Sequence, residues 1–141
     1  MLQKFFETLS DNRQQAKVRH NLLEIVVMTI CAVTIGCEYW YQIQEYCKHQ
    51  VNWFREMLGL ELKNGVASQD TFRRAFASIN PKEFEKLFTL WVRSVCKKTE
   101  GEIVSIDGKS IRASRDVGDS PLHLVSAWAN KNQLVLGQNA T

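Results

Sequence analysis

The sequence predicts an α+β chain: a helical region over residues 1–100, followed by three antiparallel strands over residues 101–141. Three observations predict it. Apolar residues recur at helical spacing through the first hundred positions, with polar caps and turns between the runs. The character changes after "KKTEGE", where short runs rich in β-branched and apolar residues begin. Those runs are separated by short polar stretches, as sequential strands of a meander would be.

The helices follow in order. "LQKFFETL" has a helical pattern and stops at the polar cluster "SDNR". "NLLEIVVMTICAVTIG" is apolar almost all round, which marks the core helix of its domain, with Gly36 as terminator. "EYWYQIQEYCKHQ" and "VNWFREMLGL" continue with Trp40, Ile43 and Cys47, then Trp53, Phe54 and Met57. Asn64-Gly65 signals a turn. Ser68 suits an N-cap, and Asp70 sits in the first turn, where the helix dipole favours negative charge. Phe72, Phe76 and Ile79 then share a face while Arg73 and Arg74 point elsewhere. Asn80 caps a further helix with Pro81 at its first position; Phe84, Leu87, Phe88, Trp91 and Val95 form its apolar stripe.

The expected strands are "EIVSIDGKSIR", "LHLVSAWA" and "QLVLGQ", with "ASRDVGDSP" as a loop and "NKNQ" as a hairpin turn. In this arrangement Val104, Ile106, Leu124, Trp128, Leu134 and Leu136 must pack on the helical region or stay partly exposed. The last strand would be an unprotected edge, and residues 102–141 the less stable part.

Bulk properties narrow the function classes. With 45% hydrophobic and 23% charged residues, the chain is a globular protein rather than a disordered one. A formal charge of +3 permits nucleic-acid binding without demanding it. Cys31, Cys37, Cys47 and Cys96 form no CxxC pair and have no His at metal-ligand spacing, so they read as small hydrophobes in a reducing cytosol. "MLQKFFETLSDNR" lacks the apolar run of a signal peptide. "IVVMTICAVTIGC" is shorter than the ~18 residues of a membrane span. The expectation is a cytoplasmic protein with no membrane partner.

Two features could carry chemistry. Asp107 ends an apolar run and precedes Gly108, Lys109 and Ser110. It reads either as a strand-end residue bonding an Asp-Gly turn or as a metal or catalytic carboxylate on a rigid element. Lys109 could neutralise a phosphate oxygen beside such a metal, or be a solvated surface lysine. The second feature is "SQDTFRRAF". It suits either the recognition helix of a helix-turn-helix, with Gln69, Arg73 and Arg74 reaching base edges or phosphates, or an ordinary amphipathic helix with a solvated arginine pair. His123 alternates with the apolar residues of "LHLVSAW" and reads as a strand residue rather than a ligand, and His20 and His49 lack acidic or cysteine partners at useful spacing. Ser110 and Ser126 have no catalytic histidine pattern, and no Gly-rich phosphate loop is present.

Four stretches together resemble one family: "DNRQQAKVRHNLLEIVVMTICAVTIGCEYW", "GVASQDTFRRAFASINPKEFEKLFTLWV", "VSIDGKSIRAS" and "HLVSAWANKNQLVLGQ". In content, order and spacing they are similar to the H-repeat-associated transposases of the DDE superfamily, from about residue 11 to Gln138. The resemblance implies a helical N-terminal region serving DNA binding or assembly, then an RNase H-like catalytic domain whose first strand carries the first of three carboxylates. That position is Asp107. Such a site holds two divalent cations, Mg²⁺ or Mn²⁺ in the intact family, about 3.5–4 Å apart across the scissile phosphate.

The sequence also departs from the family. After Asp107 the acidic residues are Asp116 and Asp119, both in the expected loop, and the chain closes on "GQNAT" where the family continues with a longer charged segment. One carboxylate would hold Mg²⁺ weakly, so no cofactor is expected for this stretch on its own. The resemblance thus implies a truncated transposase remnant, the trace of a frameshift or premature stop. It is expected to be inactive in cleavage and strand transfer, yet still able to bind DNA. Candidate contacts are Gln69, Arg73, Arg74 and Lys109, with Arg13, Lys17 and Arg19 of the basic segment "RQQAKVRH". Two rival expectations are an interaction module that pairs with itself or with full-length transposases, and a metal-dependent strand-transfer enzyme completed by a second polypeptide.

Overall fold

The computed structural model describes residues 2–98 and 120–140. They form seven α-helices and one 3₁₀ turn: α1 (Leu2–Phe6), the 3₁₀ turn (Gln15–Lys17), α2 (Leu22–Thr34), α3 (Trp40–His49), α4 (Val51–Met57), α5 (Gln69–Ala77), α6 (Pro81–Lys98) and α7 (Pro121–Ala140).

Helix α2 is the central element, as its apolar sequence predicts. Asn21 caps it by accepting a hydrogen bond from the Glu24 backbone N–H. Ile25, Val26, Val27, Met28 and Ile30 are all buried, so α2 packs against helices on several sides. It contacts α1, α3, α5 and α7. Gly36 follows with φ of 114°, a conformation glycine adopts without steric cost, and the chain turns away.

An aromatic seam ties the remaining helices together. Phe6 of α1 stacks on Phe84 of α6, with ring centroids 5.4 Å apart. Phe84 meets Phe76 of α5 at 6.1 Å and Phe88 at 5.8 Å. Phe88 in turn meets Trp128 of α7 at 5.8 Å, edge to face. Trp91 closes the group, 5.4 Å from Trp128. Such pairs add about 0.5–1.5 kcal/mol each beyond the area they bury.

The predicted caps are in place. Ser68 accepts from the Thr71 N–H at 3.2 Å. Asn80 accepts from the Lys82 and Glu83 N–H groups at 3.0 and 3.1 Å. Each satisfies amide donors that the first helical turn leaves open. The predicted Asn64-Gly65 turn forms as well, with Gly65 at φ 73°. Leu62, just before it, has φ of 49°, an unfavourable conformation for leucine. Its backbone is clamped: the N–H donates to Glu24 Oε2 at 3.0 Å, and the carbonyl accepts from Arg55 at 2.9 Å and from Gly65 N–H at 2.9 Å. Of the aromatic run in α4, Phe54 is buried while Trp53 and Met57 are exposed.

The α+β expectation is wrong for the part of the chain where it can be compared. Among the described residues there is no strand. "LHLVSAWA", "NKNQ" and "QLVLGQ" lie within one helix, α7, and the hairpin is absent. The physical reason lies at its start. Ser120 accepts from the His123 N–H at 3.0 Å, and Pro121 takes the first helical position, where its missing N–H costs nothing. Leu124, Val125, Trp128 and Ala129 are then buried together. Their spacing is that of a helix face; a strand would have aligned Leu122, Leu124, Ser126 and Trp128. Leu124 and Trp128 do pack on the helical region, against α2 and α6. The first expected strand, with Val104, Ile106, Asp107 and Lys109, lies outside the described residues.

Candidate nucleic-acid interface

The basic segment before α2 is shaped by one local clasp. Arg13 Nε and one terminal nitrogen donate to the two oxygens of Asp11 at 2.9 and 2.8 Å, and that same terminal nitrogen donates to the His20 carbonyl at 2.8 Å. The clasp folds residues 11–20 into a loop that carries the Gln15–Lys17 turn on its outside. Paired carboxylate and guanidinium favour each other's charged form, and the Arg13 bonds hold the Asp11 carboxyl down at about 2. Arg13 is therefore a structural cation, packed against its partner. Lys17 and Arg19 are exposed and form no ion pair among the described residues. The Arg19 backbone is nonetheless fixed, because Asn64 donates to its carbonyl at 2.6 Å. The strained turn at Leu62–Gly65 thus positions a basic residue more than forty positions earlier.

Helix α5 faces this loop. Between them lies an open cleft of about 460 Å³, lined among others by Arg13, Lys17, Arg19, His20, Thr71 and Arg74. Arg74 is 74% exposed, so its guanidinium reaches solvent. The burial of His20, and next the nearby Arg19 and Arg13, push its pKa below the ordinary histidine value.

Sequence-predicted contacts are therefore divided between two flanks of α5. Arg13, Lys17, Arg19 and Arg74 converge on the cleft. Arg73 lies on the opposite flank, at the edge of an apolar hollow of about 410 Å³ formed with Trp40, Phe76, Ile79, Pro121 and Leu122. Gln69 shares that flank, one helical turn before Arg73; its backbone N–H donates to Gln44 Oε1 at 2.5 Å. Between the two flanks Asp70 pairs with both arginines, with Arg73 at 2.5 Å and Arg74 at 2.9 Å. Lys109 lies outside the described residues, as does Asp107.

His20 and Thr71 join the cleft, although the sequence does not single them out for it. Thr71 follows from helix geometry, since Ser68, Thr71, Arg74 and Ala75 share one side of α5. Nothing local marks His20. Among the described residues no three His, Cys, Asp or Glu side chains converge where a metal could sit. Cys31, Cys37 and Cys47 are free thiols. Burial raises all three thiols above the ordinary cysteine value, Cys31 to about 12. No helix among the described residues is long and apolar enough to cross a membrane.

The class these features define is a helical module with a basic flank. Comparison with known proteins gives the family. Residues 3–92 match the family described as DDE_Tnp_1-associated. The chain is 37% identical over 139 residues to "Putative transposase YncI" of Escherichia coli O157:H7, covering 97% of this chain and 35% of that protein. It is 33% identical over 145 residues to "H repeat-associated putative transposase YhhI" of Escherichia coli strain K12, covering 99% and 38%. It is also 36% identical over 76 residues to "Inactive transposase YbfQ" of the same strain, covering 52% and 88%. No solved structure matches. The chain belongs to the DDE_Tnp_1-associated family, as the resemblance in its sequence implies, and it spans little more than a third of the length of the first two relatives.

Proposed function

We propose that this helical module binds DNA for a transposase-family protein, holding the phosphate backbone in the cleft between residues 13–20 and α5. One observation carries the proposal. Lys17 and Arg19, which form no ion pair among the described residues, converge on a single open cleft with a threonine hydroxyl and with Arg74, some fifty residues later in the chain and paired with Asp70. Clustered cations neutralise phosphates and release counterions, which supplies most of sequence-independent affinity. The module's modest net charge makes this placement the informative feature.

The test is fluorescence anisotropy of a labelled 24-base-pair duplex against salt. The double variant Lys17→Glu/Arg19→Glu is expected to bind at least tenfold more weakly. Its plot of log affinity against log salt should be shallower by about 2, close to 0.9 for each phosphate that is no longer neutralised. A second double variant, Lys82→Glu/Lys86→Glu on the outer side of α6, removes the same charge elsewhere and should bind much nearer to wild type. Equal weakening in both variants would reduce the cleft to a non-specific charge effect.

A further inference from the structure

Asp70 is out of place on a surface that binds phosphate. It sits in the first turn of α5 and is half exposed, yet its two oxygens are divided between two arginines: Oδ1 to a terminal nitrogen of Arg73 at 2.5 Å, Oδ2 to Nε of Arg74 at 2.9 Å. A carboxylate bridging two guanidinium groups occupies the position a phosphate would take. Arg74 faces the cleft and Arg73 the opposite flank, so one acid engages the outer cations of both sides of the helix. A helix dipole alone would not need this arrangement, since an acid anywhere in the first turn satisfies it.

We propose that Asp70 limits the affinity of this interface for phosphate alone, by occupying Arg73 and Arg74 with a resident carboxylate. The proposal rests on the cleft being a DNA site. Lys17 and Arg19 are free to meet the backbone at once. Arg73 and Arg74 engage only when a ligand displaces Asp70 or gives the acid a donor of its own, such as a base amino group in the major groove. A duplex offering nothing but phosphates is therefore held weakly, and a site that satisfies Asp70 gains two arginines together. Such an acid raises the ratio of selective to indiscriminate binding at the expense of total affinity.

The experiment uses the full chain and a random-sequence 24-base-pair duplex, titrated over a range of salt. Asp70→Asn should raise affinity about three- to tenfold at moderate salt and steepen the log–log salt dependence by about 1 to 2, as one or two further phosphates are neutralised. Adding Arg73→Gln/Arg74→Gln should remove that gain, while the same pair in the wild-type background should cost much less. Circular dichroism checks that α5 survives, and Asp70→Ser serves if Asp70→Asn is poorly folded. Unchanged affinity and slope in folded Asp70 variants, with Lys17→Glu/Arg19→Glu still weakening binding, would overturn the role of Asp70 and leave the cleft standing. No binding by wild type or by the Asp70 variants would overturn both. Binding by the variants alone would support the proposal.

Discussion

The aromatic seam and the basic flank are built on opposite principles. The seam runs from Phe6 through Phe84 and Phe88 to Trp128 and joins α1, α5, α6 and α7 through rings that touch one another. Its energy is spread over many small attractions and does not depend on pH or salt. The flank is held by a few named polar bonds: Arg13 to Asp11 and His20, Asn64 to Arg19, and Ser68 to Thr71. Each is partly solvated and can be broken singly. The difference separates what keeps the module folded from what gives its surface a use. A substitution in the seam should act on everything, and one in the flank on binding first.

The largest expected effect follows from the seam. Phe84 is fully buried and touches three other rings. Phe84→Ala should cost about 3–5 kcal/mol of unfolding free energy, measured by urea denaturation, because the cavity left between three helices cannot easily close. For a module of this size that is a large share of total stability. A drop of less than about 1 kcal/mol, well below the usual range for a buried Phe→Ala change, would mean that the seam is not a shared core, and the contrast with the flank would fall.

How far these two regions can be read from the sequence differs for the same reason. The α5 and α6 part of the seam is legible because helical spacing is a local signal: Phe76, then Phe84 and Phe88, fall on apolar faces, and Ser68 and Asn80 mark where each face begins, whereas Trp128 is hidden in a stretch that reads as strand. The flank's parts are legible one at a time, and their assembly is not. Lys17, Arg19 and Arg74 meet only because α2 and the Leu62–Gly65 turn bring residue 19 beside residue 64, two positions far apart in the chain. The division of Gln69 and Arg73 from Arg74 is open to a helical-wheel argument, and so is the pairing of Asp70 with residues three and four positions on. The strand reading of α7 fails for another reason. Over "LHLVSAWA" the apolar residues fit both a period of two and a helical face, and the one β-branched residue, Val125, stands among helix formers such as Leu and Ala. Ser120-Pro121, a cap followed by a first-turn proline, is the signal that decides for helix.

The flank's own clasp gives a smaller effect, and it can be tuned by pH. Asp11→Asn removes the charge that pairs with Arg13, so at neutral pH it should cost about 1 kcal/mol, the pair being partly solvated. The Asp11 carboxyl has its folded pKa lowered to about 2 from an ordinary 3.8, chiefly by the side-chain bond from Arg13. A depressed pKa means that the contribution is fully present above the ordinary value. It is lost as pH falls through about 4 towards 2, where the folded state must also take up the proton. The stability difference between wild type and Asp11→Asn should therefore be constant from pH 7 to about 5 and close to nothing near pH 2. Thermal melts of the two proteins across that range measure it. Because the clasp shapes the loop that carries Lys17 and Arg19, Asp11→Asn should also weaken duplex binding several-fold, although it makes the chain one unit more positive. An increase in affinity would show that net charge, and not the geometry of the flank, governs binding, and would erase the distinction between the two regions.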